Sequence, residues 1–231
     1  MNENSPLVSF IISVYNDEEL IIDSLKSVVS QTYKNIEILI LDDASEDDTL
    51  LRIKNFAKQH DNIRIYKNKK NIGLTKSLNF LIKKASGEYI ARQDSDDVSN
   101  LNRIKEQIHI MKKLDLDFCG TRAKVKQNNK IVPNFSFYFP KSLVIKYKNP
   151  FVHGTLIFKK KVLQDIGGYD ERFYYSQDYK LIIDLIQKKY KFRIINKAYY
   201  ILNYSDNISI NFKNEQEYFA SCARKGITPD F

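Results

Sequence analysis

The stretch that decides the fold is IEILILDDAS, residues 36–45. Its first six residues are apolar except for Glu37, which is typical of a strand buried on both faces of a parallel sheet. Asp42 and Asp43 follow at the point where that strand must end, and Ser45 is a candidate N-cap for the next helix. The stretch therefore predicts a buried strand, a polar loop and a helix, in that order.

The same alternation of strand and helix recurs on both sides of this stretch. β-branched and aromatic runs predict further strands, and apolar residues at helical spacing predict helices between them. The predicted strands are 8–15, 36–41, 63–66 and 88–92, and the predicted helices are 17–31, one that follows Ser45, 75–85 and 101–114. This alternation predicts an α/β, Rossmann-like fold with a mostly parallel central sheet flanked by helices.

The second half of the chain is less regular, and it contains no repeat or linker that would divide it. We expect strands at 118–126, 130–135, 153–158, 192–195 and 199–202, and helices at 177–187 and 214–224. With 231 residues and 43% hydrophobic content, the chain is long enough for one substantial core. We therefore interpret residues 1–231 as a single domain.

Cysteine use and the N-terminal sequence bear on the cellular compartment. Cys119 and Cys222 are far apart and have no histidine cluster nearby, so neither a zinc site nor a disulfide framework is expected. The N-terminus lacks a basic region followed by an apolar one, so we expect no signal peptide. These features predict a cytoplasmic protein, either free or peripheral at the inner face of the plasma membrane.

The net charge of +9 is unevenly distributed along the chain. Residues 1–120 contain 17 Lys/Arg and 19 Asp/Glu, a balance of −2, whereas residues 121–231 contain 20 and 9, a balance of +11. A basic half of this kind attracts nucleic acid, anionic lipid or a phosphorylated acceptor. The alternative is a lysine-rich solvated surface, and composition alone does not decide between the two.

Three polar segments follow predicted strands, and in a parallel sheet ligands bind beyond the carboxyl ends of the strands. These segments are Tyr15-Asn16, Asp42-Asp43 and residues 94–97. In an extended segment Asp94 and Asp96 point to the same side, and such carboxylates suit Mg²⁺ or Mn²⁺. The alternative is an acidic first turn for the helix near residue 100, stabilised by the helix dipole.

The other candidate residues also have two interpretations. Asp42 or Asp43 would accept hydrogen bonds from a base or a ribose, or would belong to a helix-capping loop. Tyr15 would stack on a nucleobase, or would be an ordinary rim aromatic. Asp178 would be a general base, or a residue of the first turn of a helix, where the helix dipole favours a carboxylate. His153 would contact a diphosphate or an acceptor, or would have a structural role.

Taken together, these segments resemble the family 2 glycosyltransferases of GT-A fold, especially bacterial enzymes of capsule, exopolysaccharide and lipo-oligosaccharide assembly. The resemblance covers nearly the whole chain and rests on several ordered motifs. They are VSFIISVYN (8–16), SQTYKNIE (30–37), LDDASEDDT (41–49), NIGL (71–74), GEYIARQDSDD (87–97) and GGYDERF (167–173).

The resemblance implies an inverting transfer of a sugar, in a single displacement, from a nucleotide-sugar donor to a glycan or lipid-linked acceptor. UDP is the expected nucleotide and Mn²⁺ or Mg²⁺ the expected cofactor. Residues 1–120 would bind the donor and the metal, and residues 121–231 the acceptor. The implied roles are Ser13, Tyr15, Asp42 and Asp43 for the nucleotide, Asp94 for the ribose or the ion, Asp96 for the metal, Asp178 as the base and His153 as a further donor-site contact.

Two positions depart from the family pattern. Gln177 stands where relatives usually have Glu, next to an intact Asp178. Residues 201–204 read ILNY, where relatives often have a Tyr-Arg-x-His pattern, so a diphosphate contact from that segment is in doubt.

Three alternatives to an active glycosyltransferase have less support in the sequence. A nucleotidyltransferase needs a glycine-rich basic loop near the N-terminus, but residues 15–19 are acidic and lack glycine. A nucleic-acid-binding module has no zinc spacing or RNA-binding signature to support it, and no nucleic-acid partner is expected. A catalytically inactive relative is disfavoured by the presence of Asp94, Asp96 and Asp178.

Overall fold

The computed structural model describes residues 5–204 and 212–230. A nine-stranded sheet runs through the molecule in the order β3-β2-β1-β4-β8-β6-β9-β5, with β7 paired to β6. The strands are β1 (Val8–Val14), β2 (Ile36–Asp42), β3 (Ile63–Lys67), β4 (Tyr89–Arg92), β5 (Val98–Ser99), β6 (Phe118–Val125), β7 (Ile131–Val132), β8 (Ile157–Lys159) and β9 (Phe192–Leu202).

Helices cover both faces of this sheet. They are α1 (Ile21–Val29), α2 (Thr49–Ala57), α3 (Leu74–Lys84), α4 (Arg103–Leu114), α5 (Lys141–Val144), α6 (Lys160–Ile166), α7 (Gln177–Gln187) and α8 (Lys213–Lys225). Within the described part of the chain, none of the helices has the length and apolar character needed to cross a membrane.

The first four strands form a parallel unit with β1 between β2 and β4. Every residue of β1 and β2 is buried, as expected for parallel strands covered on both faces. The register pairs Val14 with Asp42 and Asp42 with Lys67, so the carboxyl ends of these strands meet at one edge. Six of the nine strands run in one direction, and the predicted α/β fold with a mostly parallel sheet is confirmed.

Antiparallel pairing joins the second half of the chain to this unit. β8 lies between β4 and β6 and is antiparallel to both, and β9 runs parallel to β6. The short strand β5 comes directly after the acidic segment and pairs with Tyr200 and Ile201 of β9. The loop that contains Asp94 and Asp96 is therefore closed on one side by residues about a hundred positions later in the sequence.

Two apolar cores form, one on each side of the sheet. Leu78 of α3, Leu163 of α6 and Leu181 of α7 belong to the first, together with Phe219 of α8. The second core contains residues of α1, α2 and α4, such as Ile21, Leu25, Ile53, Ile104 and Ile108. These residues recur at the helical spacing seen in the sequence, because that spacing places them on one face of each helix.

Several predicted boundaries were wrong for local reasons. Ser45 does not cap a helix, since α2 begins at Thr49 and the Ser45 hydroxyl instead accepts the backbone N–H of Asn16. The strand predicted at 130–135 is reduced to Ile131–Val132, because Pro133 has no N–H to continue the ladder and a 3-10 turn follows at Phe135–Tyr138. The two strands predicted at 192–195 and 199–202 are one strand, β9, with register shifts opposite Arg122.

The segment predicted as a strand at 153–158 also differs. Its first part, His153–Thr155, is a 3-10 turn, and the strand β8 begins only at Ile157. Helix α6 follows directly and was not predicted, although its end at Gly167, with φ of 80°, coincides with the glycine break seen in the sequence.

Candidate active site

The end of β1 places one aromatic ring at the carboxyl edge of the sheet. Tyr15 is 45% exposed, whereas Ser13, two residues earlier, is buried within the strand. Asn16 has φ of 48°, and its side-chain oxygen accepts the N–H of Glu46 at 2.8 Å. The turn after β1 is thus tied to the loop after β2, and the Tyr15 ring stays accessible beside both.

The end of β2 presents two aspartates that differ in their hydrogen bonding. Asp43 accepts hydrogen bonds from Asn68 Nδ2 at 2.7 Å, from the N–H of Ile72 at 3.0 Å and from the N–H of Gly73 at 2.8 Å. Asp42 is fully buried, and its Oδ2 accepts the N–H of Ser45 at 3.3 Å. Asp42 Oδ1 is buried without a partner in the described residues, so the carboxylate with an unused acceptor is Asp42, while Asp43 holds the turn that precedes α3.

Asp94 stands immediately beyond β4 and is held at both its side chain and its backbone. Its Oδ1 lies 2.5 Å from the guanidinium of Arg92, which is itself buried. Its N–H donates to the Tyr200 hydroxyl at 3.0 Å, and its carbonyl accepts the Ser24 hydroxyl at 2.8 Å. The position of this carboxylate is therefore fixed by contacts from α1, β4 and β9.

Beneath the acidic loop lies a polar network that the sequence did not reveal. The guanidinium of Arg103 is fully buried and donates to Gln93 Oε1 at 3.0 Å, to Ser99 Oγ at 2.7 Å and to the Arg92 carbonyl at 2.6 Å. Gln93 Nε2 in turn donates to the Asp97 carbonyl at 2.9 Å. Burial lowers the pKa of Arg103 to about 10, so the group stays charged at neutral pH.

Two other carboxylates, those of Asp94 and Asp17, lie within electrostatic range of Asp96. Burial, together with the nearby Asp94 and Asp17, raises the pKa of Asp96 to about 7. Burial is likewise the main cause of the raised pKa of Asp17, whose Oδ2 has no hydrogen-bond partner among the described residues. Mutual repulsion of this kind is what a bound cation relieves. Asp17 was not singled out from the sequence, where it reads as a first-turn residue of the predicted helix.

Asp97 plays a different part from its neighbours. It is buried, and its Oδ1 accepts the N–H of Asn203 at 2.7 Å. Burial, aided by the Asp94 and Asp96 carboxylates, raises its pKa. Asp97 therefore attaches the acidic loop to the end of β9 and does not face the same space as Asp96.

A cavity of about 150 Å³ opens beside Asp96. Its walls are formed by Leu20, Asp23, Asp96, Val98, Lys126, Ile201 and Asn203. The residues that depart from the family pattern, Ile201 and Asn203, thus line the space next to Asp96. Lys126 supplies a cation to the same space from the end of β6, a contact the sequence did not indicate. Residues 205–211, which continue the segment compared with relatives, lie outside the described residues.

Asp178 and Asp94 both lie within electrostatic reach of His153. Burial and the Arg92 guanidinium lower the pKa of His153, whereas Asp178 and Asp94 act in the opposite direction. His153 Nε2 lies 2.8 Å from the hydroxyl of Tyr169. Asp178 is in the first turn of α7, where its Oδ2 accepts Asn149 Nδ2 at 2.7 Å. The candidate base and the acidic loop are thus brought together through the turn at residue 153.

Gly154 explains how that turn approaches the acidic loop so closely. A Cβ at this position would lie 2.5 Å from Asp94 Oδ2 and would also collide with the Tyr200 hydroxyl. Only a residue without a side chain fits there.

Sequence relatives identify the family of this chain. Residues 9–167 match the family described as Glycosyl transferase family 2. EpsE of Bacillus subtilis is 34% identical over 178 residues, which cover 72% of this chain and 61% of EpsE. The chain belongs to glycosyl transferase family 2.

A further relative carries a more specific name. The Escherichia coli protein WfgD, named UDP-Glc:alpha-D-GlcNAc-diphosphoundecaprenol beta-1,3-glucosyltransferase, is 37% identical over 129 residues, covering 56% of this chain and 50% of WfgD. The chain therefore spans between half and about three fifths of the length of these two relatives.

Solved structures confirm the fold. The crystal structure of S. aureus TarS 1–349 in complex with UDP-GlcNAc has a TM-score of 0.74 and 24% sequence identity, covering 89% of this chain and 60% of that one. The mannosyltransferase PcManGT from Pyrobaculum calidifontis, in complex with GDP-Man and Mn²⁺, has a TM-score of 0.76 and 18% identity, covering 97% and 66%. The GT-A fold expected from the family resemblance is confirmed.

Proposed function

We propose that this chain is the transferase domain of an inverting glycosyltransferase of bacterial surface polysaccharide synthesis. It moves a sugar from a nucleotide-sugar donor, most readily a UDP-sugar, to a glycan or lipid-linked acceptor. The observation that carries the proposal is the meeting, beyond the ends of β1, β2 and β4, of the exposed Tyr15 ring, the unused Asp42 oxygen and the Asp94–Asp96 carboxylates.

The donor nucleotide is assigned to the space beside Tyr15 and Asp42. The exposed tyrosine ring offers a stacking face for a base. The buried Asp42 oxygen lacks a donor, and an N–H of the base or a hydroxyl of the ribose would satisfy it. Ser13 and Asp43 support this position, Asp43 through the turn at residues 71–73. TarS in complex with UDP-GlcNAc and PcManGT in complex with GDP-Man support a nucleotide-sugar donor of this class.

A divalent ion, Mn²⁺ or Mg²⁺, fits the acidic loop. Among residues 5–204 and 212–230, no three His, Cys, Asp or Glu side chains are arranged as a complete metal site. An ion of this kind usually keeps one or two protein carboxylates and takes its other ligands from water and phosphate, so Asp96 and Asp94 suffice. The ion would act as a Lewis acid that neutralises the leaving diphosphate. The presence of Mn²⁺ in the PcManGT complex supports this choice.

Asp178 is assigned as the general base. An acceptor hydroxyl is a weak nucleophile at neutral pH, and a positioned base contributes roughly 10²- to 10⁴-fold to its attack. The hydrogen bond from Asn149 orients the Asp178 carboxylate and leaves its second oxygen available for the proton. The acceptor oxygen attacks the anomeric carbon from the side opposite the diphosphate. His153 is assigned as a further contact to the donor.

The acceptor is assigned to the basic half, residues 121–231. Its balance of +11 suits an acceptor that carries a pyrophosphate. The name of WfgD, which specifies a diphosphoundecaprenol-linked acceptor, supports a lipid-linked acceptor for this chain.

A thermal-shift screen of UDP-, GDP- and dTDP-sugars, with and without Mn²⁺, tests the proposal. We expect stabilisation by one nucleotide class that depends on the metal, followed by slow hydrolysis of that donor. Binding without hydrolysis or transfer to any lipid-linked acceptor would indicate an inactive relative. No stabilisation by any nucleotide sugar would refute the proposal.

A further inference from the structure

The segment between β7 and the turn at His153 exposes an unusual amount of apolar surface. Phe135 is 74% exposed and Tyr147 is 79% exposed, and Phe139 and Leu143 lie exposed between them. These four residues are spaced four apart in the sequence. The rings of Phe135 and Phe139 are 5.1 Å apart, and Phe139, Leu143 and Tyr147 line one groove of about 240 Å³. We call these four residues the aromatic row.

Within the segment of sequence that contains the aromatic row, all charged side chains have the same sign. Residues 118–164 contain ten Lys or Arg and neither Asp nor Glu. Lys146 and Lys148 flank Tyr147 and are exposed, and among the described residues no ion pair involves either of them. Lys148 also lines the groove beside the row. The aromatic row therefore combines exposed apolar side chains with lysine ammonium groups that form no ion pair among the described residues.

The segment is held in place by its own contacts and is not a loose loop. Lys141 Nζ donates to the carbonyls of Ser136 at 3.3 Å and Phe139 at 2.8 Å and lies over the ring of Phe137. The Tyr179 hydroxyl of α7 donates to the carbonyl of Ile145. A rigid apolar row that is still exposed needs an occupant.

We propose that the aromatic row, with Lys146 and Lys148, docks this protein onto an anionic lipid bilayer. Tyrosine and phenylalanine prefer the interface between headgroups and acyl chains, and lysines beside them attract anionic headgroups. Residues 118–164 carry positive charges and no carboxylates, which complements the negative charge of such a membrane. A partner protein would have to supply both the apolar cover and the acidic charge.

The aromatic row lies near the proposed base, so docking onto a membrane would assist the transfer reaction. This step rests on the proposed function. Asn149 follows Lys148 by one residue and donates to the carboxylate of Asp178. The docking surface is therefore connected to Asp178, the proposed base, through Asn149. Membrane contact at the row would bring Asp178 close to the headgroup region, where the sugar of a lipid-linked acceptor lies.

Co-sedimentation with vesicles tests the proposal, with phosphatidylglycerol-containing vesicles compared with pure phosphatidylcholine. We expect strong, salt-sensitive binding to the anionic vesicles and weak binding to the neutral ones. Lys146→Gln with Lys148→Gln should weaken binding on the order of 30-fold, from about fivefold per lysine. Phe135→Ser with Tyr147→Ser should weaken it at least about tenfold.

A control lies at α2 and its C-terminal end, where Leu51→Ser with Lys54→Gln and Lys58→Gln changes exposed apolar and basic residues. This control should bind vesicles as the wild type does. Equal losses in the control and the row variants would overturn the proposal, as would a wild type that binds neither vesicle.

Two further measurements separate the possible causes of a loss. UDP-sugar binding by the row variants, followed by thermal shift, should equal that of the wild type and shows that they are folded. A wild type that binds vesicles but no nucleotide sugar would refute the proposed function and leave the docking surface intact. If the row variants lower the oligomeric state while vesicle binding is unchanged, the row is an interface between copies of the chain and the proposal fails.

Discussion

Arg103 lies fully buried beneath the acidic loop, and its Nη1 donates a hydrogen bond to Gln93 Oε1 at 3.0 Å. Gln93 links Arg103 to the acidic loop, since its Nε2 donates to the carbonyls of Asp94 and Asp97. The loop that contains Asp96 is thus held in place by the Arg103 guanidinium through the side-chain amide of Gln93. Removal of the Gln93 amide should therefore lower the stability of the protein.

Gln93→Leu should destabilise the protein by about 2–4 kcal/mol, because it leaves the Ser99 hydroxyl, the Arg103 guanidinium and two carbonyls with fewer buried partners. For a chain of this size the melting temperature should fall by about 5–15 °C. Scanning calorimetry measures the shift, with the exposed Gln59→Leu as control. A melting temperature equal to that of the control would show that the network contributes nothing to stability.

Asp96→Asn should remove metal-dependent donor binding while the chain stays folded. The loss of one carboxylate next to the leaving diphosphate should weaken binding of a UDP-sugar in Mn²⁺ on the order of 100-fold. Calorimetric titration with and without EDTA measures this, and EDTA should reduce wild-type binding to the level of the variant. Asp61→Asn, at an exposed turn, is the control and should bind as the wild type does. Unchanged metal-dependent binding in Asp96→Asn would contradict the assignment.

Asp178→Asn should separate binding from transfer. The amide cannot accept the acceptor proton, so kcat should fall roughly 10²- to 10⁴-fold while donor affinity stays the same. The control lies on the same helix: Asp184→Asn loses the part-buried i,i+4 pair with Lys180, which typically contributes about 0.5 kcal/mol. Loss of donor binding in Asp178→Asn would mean that this residue belongs to the donor site and is not a dedicated base.

Lys126→Gln should weaken binding of the nucleoside diphosphate product. Lys126 lines the cavity beside Asp96, and a charge-assisted contact to a phosphate there would contribute about tenfold or more to affinity. Lys124→Gln lies on the same strand and is exposed, so it matches the change in net charge. UDP titrations of both variants give the comparison. Equal affinities would show that Lys126 acts only through the overall charge of the molecule.

Gly154→Ala should weaken metal-dependent donor binding more than its loss of stability explains. The added methyl would press on Asp94 Oδ2 and on the Tyr200 hydroxyl and so displace the acidic loop. Gly226→Ala serves as the contrast, because Gly226 has φ of 69° and open space around it, so only a conformational cost of about 1 kcal/mol is expected. Thermal unfolding and metal-dependent donor binding of the two variants should diverge. Normal donor binding in Gly154→Ala would show that the loop tolerates the displacement.

The sequence predicted the parallel unit well because local pattern decides it. The strands β1, β2 and β4 are short, mostly apolar runs followed by polar turns. β1 pairs with β2 along its whole length and with β4 over its first four residues. Period and composition therefore suffice to place Tyr15, Asp42 and Asp94 at one edge.

The remainder of the site depends on contacts that local pattern does not contain. Arg103 reads as a solvated residue at the start of a helix, and only the fold shows that it is buried between the rings of Phe10 and Tyr200. The same holds for Lys126, which reaches the cavity only because β6 and β9 pair. Charged residues are rarely buried unless paired, so a sequence pattern assigns them to the surface by default.

The closure of the acidic loop by β9 also sets an order of events during synthesis. The partners of Asp94 and Asp97, namely Tyr200 and the N–H of Asn203, lie 106 residues further along the chain. At a translation rate of roughly 5–20 residues per second, they emerge about 5–20 s later. During that interval the acidic loop has no wall opposite it. The candidate site is thus completed only after synthesis has passed β9.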